Sequence, residues 1–285
     1  MLDHSAVSLE NKVAIVTGGG GGIGKSISQT LAHFGARVVV AEIDEQRATE
    51  TVDEIRSAKG DALASVVDVQ DRDQVAKMAT DAFDTYGRVD ILVNNVGDHL
   101  RLRSKFVESD EEDWEAHYRI NLKHVFYVTR AIVPRMIERG EGGSVINISS
   151  IEAFRGIPGL AAYSAFNGGI TQFTKSLALE LAPDRIRVNA IAPETTETLQ
   201  VQPKRMIPEE SHWMIPHWIP LGRYGTPDDA AGVALFLASD LSAWVTGTTV
   251  HLDGGALAAG GFFRSAATGD WSTRPCVEHS PRLRR

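Results

Sequence analysis

The stretch KVAIVTGGGGGIG, residues 12–24, decides how the rest of the chain is read. A short β-branched run stops at five consecutive glycines, and the following IGKSISQTLAHFG has the apolar spacing of an amphipathic helix. Strand, glycine turn and helix in that order open a βαβ unit. In such a turn, glycines let the backbone bend tightly and let N–H groups approach a phosphate at the positive end of the helix.

Outward from that turn, the same alternation continues. Strands are expected in KVAIVT, ARVVVAE, DALASVVD, VDILVNN, GSVINIS, RIRVNAIA and TTVHLDGG. Between them lie helical segments: EQRATETVDEIRSAKG, DRDQVAKMATDAFDTYG, a long one from about Glu111 to Arg139, another from about Ala162 to Leu181, and TPDDAAGVALFLAS. The pattern predicts an α/β chain, a doubly wound Rossmann-type parallel sheet of about seven strands with helices on both faces. One domain is expected over residues 1–285, with a core at about 9–255, an irregular insertion at about 195–221 and a tail at 256–285. The acidic run ESDEEDWE is read as a helix start, with Ser109 and Glu112 at capping-box spacing. His212 and His217 have no third ligand in view, so no metal is expected.

The totals narrow the function classes. A formal charge of -8 without a basic patch argues against a nucleic-acid partner, and no apolar run reaches membrane-spanning length. A single cysteine, Cys276, precludes an intramolecular disulfide framework and fits a reducing, cytoplasmic setting.

The glycine register has two readings: Gly19, Gly21 and Gly24 fit G-x-G-x-x-G, and Gly18, Gly22 and Gly24 fit a wider spacing. Glu42, ending the second strand, is placed to accept hydrogen bonds from an adenosine ribose and to repel a ribose phosphate, which favours NAD over NADP. Asp44 is either a second acceptor or the cap of the next helix, and Asp68 either reaches the adenine edge or closes a turn.

Taken with NNVG at 94–97, the asparagine of INL at Asn121, the ISS strand end and YSAFN from Tyr163, the turn resembles that of the short-chain dehydrogenase/reductase family. The resemblance runs from about Leu9 to Gly255 and selects the register Gly18, Gly22 and Gly24. It implies that Ser150, thirteen residues before Tyr163, polarises a substrate oxygen, that Tyr163 exchanges the proton, and that Asn121 holds a water on the proton path. It also implies cofactor contacts at Ile23, Val69, Asn95, Gly97, Pro193 and Thr198, beside Glu42, Asp68, Tyr163 and Asn167, with Thr196 competing for the role of Thr198.

One position departs from that pattern. Four residues after Tyr163, where the family carries a lysine, stands Asn167. An amide can hydrogen-bond a ribose but carries no charge to stabilise a phenolate. Bringing a tyrosine of pKa ~10 to half-ionisation at neutrality needs about 4 kcal/mol, and a neutral hydrogen bond supplies about 1 kcal/mol. Arg101, Arg103 and Arg155, near strand ends, are candidate replacement cations. Glu194 is a second departure, standing where a glycine follows the proline in relatives.

These residues lead to an expected NAD-dependent oxidoreductase acting on a bulky hydrophobic secondary alcohol and its ketone. The alternative is a redox-impaired homologue that holds NAD structurally or catalyses proton-only chemistry. Trp213 and Trp218 in the insertion, with Phe154 and Leu160 after Ser150, are expected to line the substrate pocket. A homo-oligomer, dimer or tetramer, is implied by the resemblance, with HVFYVTRAIVPRMI as a compatible apolar face.

Overall fold

The computed structural model describes residues 3–198, 200–202, 209–264 and 271–272. Seven strands form one sheet in the order β3-β2-β1-β4-β5-β6-β7, every neighbouring pair parallel. They are β1 (Val13–Thr17), β2 (Arg37–Glu42), β3 (Asp61–Val66), β4 (Ile91–Asn94), β5 (Gly143–Ile148), β6 (Ile186–Pro193) and β7 (Thr249–Leu252).

The near-continuous apolar strands reflect burial on both faces. Along β1, Val13 and Ile15 enter one core, and Ala14 and Val16 enter the other. The first core is closed by α3 (Arg72–Tyr86), α5 (His124–Arg139) and α6 (Ala161–Leu181), through residues such as Met78, Ile132 and Leu181. The second is closed by α1 (Gly22–His33), α2 (Glu45–Ser57) and the helix Pro227–Ala238, through Leu31, Ile55 and Leu237. Side-chain caps fix where several helices begin: Asp44 accepts from Arg47 N, Asp71 from Asp73 N and Gln74 N, and Thr226 forms a capping box with Asp229.

Two expectations change. Asp110, not Ser109, caps α4 (Glu111–Tyr118); the Ser109 hydroxyl instead accepts from Trp114 Nε1. The long helix expected from Glu111 to Arg139 is broken by a π-helical segment, Arg119–Lys123, between α4 and α5. Asn121 sits in that segment and donates Nδ2 to the carbonyls of His117 at 3.0 Å and Asp98 at 2.9 Å. The side chain thereby caps carbonyl oxygen in the widened turn and ties the helix to the loop after β4.

Past β7, the chain forms a one-turn helix, Ala256–Ala259, and a small antiparallel pair, Phe263–Arg264 with Trp271–Ser272. Among the described residues, no helix is long and apolar enough to cross a membrane.

Candidate active site

Strand order reverses direction on either side of β1, and a cavity of about 820 Å³ opens at the carboxyl ends of the strands there. Its floor begins at the glycine turn. Gly22 has φ +49°, a left-handed conformation that a side chain strains. A Cβ on Gly24 would lie 2.1 Å from the carbonyl oxygen of Gly18 and 2.6 Å from Asn95 Nδ2, so only glycine lets α1 start this close to β4. The cradle left open over the first turn of α1 fits the pyrophosphate of a dinucleotide.

Gly18, Gly22, Ile23, Glu42, Asp68, Val69, Asn95, Gly97, Pro193 and Thr198 all line the cavity, while Gly24 packs beneath it. Glu42 is buried, and its carboxylate accepts from Gly20 N at 3.2 Å, Ile43 N at 3.0 Å and Asp44 N at 3.3 Å. Arg47, on α2, stands 3.7 Å from the same carboxylate and 3.3 Å from Asp44. Asp68 accepts from Gln70 N, closing a turn, and still faces the cavity. Both threonines reach the wall; Thr198 packs over Gly22, and the Thr196 hydroxyl donates to Glu194 O.

Ser150, Tyr163, Asn121 and Asn167 line the same cavity, with Ser150 and Asn167 within hydrogen-bonding reach of the Tyr163 phenol. β5 delivers Ser150, whose Oγ accepts from Glu152 N at 3.2 Å. The first turn of α6 presents Tyr163. Burial pushes the Tyr163 phenol above its ordinary pKa, and the Glu152 and Asp98 carboxylates push the same way; Ser150 and Asn167 pull it down without cancelling the rise. His117 sets its ring edge-on to that of Tyr163, centroids 6.2 Å apart, and burial pushes its imidazole pKa down. Asn167 is buried; its Nδ2 donates to the backbone carbonyl of Tyr163 at 3.0 Å, and its own carbonyl accepts from Ser149 Oγ at 3.0 Å.

A family model described as enoyl-(acyl carrier protein) reductase matches residues 18–256. The 3-oxoacyl-(acyl-carrier-protein) reductase of Thermotoga maritima is 41% identical over 250 residues, 87% of this chain and 98% of that protein. The chain belongs to the short-chain dehydrogenase/reductase family. This is a family of oxidoreductases, and its solved members share the present fold. A 7α-hydroxysteroid dehydrogenase in complex with NADH and 7-oxoglycochenodeoxycholic acid superposes with a TM-score of 0.83 at 34% identity, covering 90% of this chain and 98% of that one. A putative 2-deoxy-D-gluconate 3-dehydrogenase from Agrobacterium tumefaciens with bound NADP gives 0.80 at 37% identity, covering 89% and 99%.

Within this family member, several expected positions are corrected. Leu160 lines the cavity, but Phe154, Trp213 and Trp218 are not on its wall. The turn Ile151–Ala153 sends Ile151 and Glu152 inward and leaves Phe154 outside, edge-on to His251 at 4.4 Å. Trp213 packs on His217 and Trp218 on Tyr224, so the insertion's aromatic rings are engaged away from the site. Residues 199 and 203–208 of that insertion lie outside the described residues. Arg155 is not a spare cation: its Nη2 lies 2.9 Å from Glu152 Oε1 and 2.6 Å from Glu194 Oε2. Burial works against the Arg155 charge, but the two carboxylates outweigh it and hold its pKa above the ordinary value. Arg101 and Arg103 do line the cavity, at exposed positions.

Residues not singled out from sequence also stand on the wall, notably Arg47, Asp98 and Glu152. The available signal was adjacency: Asp98 follows NNVG directly, and Glu152 is two residues past Ser150.

Proposed function

We propose that this oxidoreductase interconverts a secondary alcohol and its ketone by hydride transfer, using NAD in preference to NADP. The observation that carries the reading is that Ser150, Tyr163 and Asn121 line the same cavity as the glycine turn and Glu42. A nicotinamide dinucleotide, when bound, supplies or takes up the hydride.

The chain's own residues handle the oxygen and its proton. Ser150 Oγ accepts from Glu152 N, and its hydroxyl proton, which otherwise serves the Tyr163 phenol, is the one it donates to a carbonyl oxygen. Tyr163 gives up a proton in reduction and accepts one in oxidation. Its raised pKa suits the first task, because the neutral phenol is the required starting state near neutrality. Asn121 has both amide hydrogens engaged, so its contribution is to hold the loop after β4 and a water at the edge of the site. The buried Glu42 carboxylate opposes a ribose phosphate, which supports NAD.

Ile151, Ile157 and Leu160 on the wall support an apolar body for the substrate. Self-association through α5 and α6 is part of the proposal, supported by the Phe126–Phe173 pair bridging them and by exposed Leu179. The single cysteine suits a cytoplasmic setting. A second reading, a redox-impaired dinucleotide-binding protein, draws on one observation: the amide at Asn167 puts no charge beside the phenol.

The test is NADH consumption with aromatic and alicyclic ketones, wild type against Tyr163→Phe. Turnover in the wild type and a loss of roughly 10²-fold or more in the variant support hydride transfer. Tight NADH binding with no turnover of any ketone, or of the matching alcohols at alkaline pH, supports the second reading.

A further inference from the structure

We propose that the substrate carries a cationic amino group, held by Glu152 and Glu194, and that this charge stands near Tyr163 where α6 offers only Asn167. The proposal rests on the hydride-transfer reading of the same site.

The two carboxylates come from different elements. Glu194 directly follows β6, and Glu152 lies within the turn that Ser150 caps. Both face the cavity, and Glu194 is 8% exposed. A single guanidinium, Arg155, serves both, bidentate on Glu152 at 2.9 and 3.3 Å and at 2.6 Å from Glu194. The other oxygen of Glu194 accepts from Thr195 N at 2.9 Å and Thr195 Oγ1 at 3.1 Å. The side chains are therefore fixed, yet one positive charge answers two negative ones. Across the cavity, Asp98 adds a third carboxylate, its Oδ1 accepting from Leu100 N. Arg101 and Arg103 also belong to this wall, but they are exposed, where water and salt screen them.

A buried carboxylate that is short of positive charge has already lost its water, so a cation brought to it gains attraction strengthened by the low dielectric against only its own desolvation. Independently, the position on α6 that faces Tyr163 carries a neutral amide, which bonds the Tyr163 backbone carbonyl and eases the phenol pKa down without bringing any charge to it. A substrate ammonium would meet both needs at once, the excess of carboxylate and the lack of a cation beside the phenol. An anionic substrate would face Glu152, Glu194 and Asp98, and a neutral one would leave the excess unanswered.

The test compares two ketones of one shape. Phenacyltrimethylammonium carries a permanent charge, and 3,3-dimethylbutyrophenone replaces its nitrogen with carbon. Each is titrated calorimetrically into NADH-saturated protein, and turnover is measured separately. The cation should bind roughly tenfold tighter or more than its carbon isostere, as charge complementarity predicts. That ratio should fall towards one in Glu152→Gln and in Glu194→Gln, with the isostere's affinity changing less than the cation's. Equal affinity of the two ketones in the wild type, failure of both to bind, or a ratio that survives both substitutions would overturn the proposal. Reduction of both ketones without a charge preference removes this inference and keeps hydride transfer. Charge-selective binding of ketones that are never reduced does the reverse.

Discussion

Asn167 donates its side-chain amide to the backbone carbonyl of Tyr163 at 3.0 Å, one helical turn earlier on α6. The same amide lowers the phenol pKa by hydrogen bonding but brings no charge, and the charged groups that act on Tyr163 are carboxylates, which raise it. Alcohol oxidation needs the phenolate, and a pKa above 10.0 keeps that form scarce at neutrality. The oxidation rate should therefore climb with pH into the alkaline range, while ketone reduction, which starts from the neutral phenol, should stay flat across neutral pH. Asn167→Lys should raise oxidation near neutral pH by roughly tenfold, equivalent to about 1.4 kcal/mol of anion stabilisation. Paired pH–rate profiles check this, and an unchanged profile in the lysine variant would rule out the missing charge as the limit.

Cofactor choice should follow Glu42. Removing its charge in Glu42→Gln while keeping its shape should narrow the preference for NAD over NADP by about tenfold, the scale of one like-charge contact near a protein surface. Arg47 lies 3.7 Å from that carboxylate and partly offsets it, so Arg47→Ala should widen the preference. Dinucleotide titrations of the three proteins give the ratios.

The glycine turn is intolerant at Gly24. An alanine there would put its Cβ against the Gly18 carbonyl, a backbone atom that cannot swing away. Gly24→Ala should destabilise the fold by about 1–3 kcal/mol and weaken dinucleotide binding, read by thermal melts with and without NADH. Gly168, where an added Cβ meets nothing within 4 Å, is the control.

His124, fully buried at the start of α5, sets part of the acid limb of stability. Burial pushes its pKa down from 6.5 to about 4, so the folded chain keeps it neutral while the unfolded chain takes up a proton between those values. Its contribution is complete above pH 6.5 and falls as the pH drops towards 4, by roughly 3 kcal/mol at most. His124→Gln should flatten urea-derived stability across that window relative to the wild type.

Much of this was legible in the sequence because the signals were local. The run VAIVT followed by glycines could only be a strand feeding a turn; six of the seven strands fall within their expected stretches, and β6 runs one residue past its own, to Pro193. Motif residues at strand ends, such as Ser150 and Asn95, reach one cavity because parallel strands share a carboxyl edge. What failed depended on which way a side chain turns. Trp213 and Trp218 have pocket-like chemistry, but neighbouring rings engage them elsewhere. Arg155 has the charge to replace a lysine, but it is taken by Glu152 three residues earlier and by Glu194 just past β6, and the second of these pairings is one that no local spacing reveals. The π-helical break at Asn121 is likewise invisible to periodicity, since a few residues of wider turn do not disturb the apolar stripe of α5.

Deuterium tracing tests the central claim most directly. With NADH deuterated at the transferable C4 position and a ketone that the wild type consumes, the product alcohol should carry the label on its carbinol carbon. Tyr163→Phe and Ser150→Ala should each slow that labelling by roughly 10²-fold or more while still binding NADH. A product alcohol without the label, or labelling at the wild-type rate in both variants, would contradict the account.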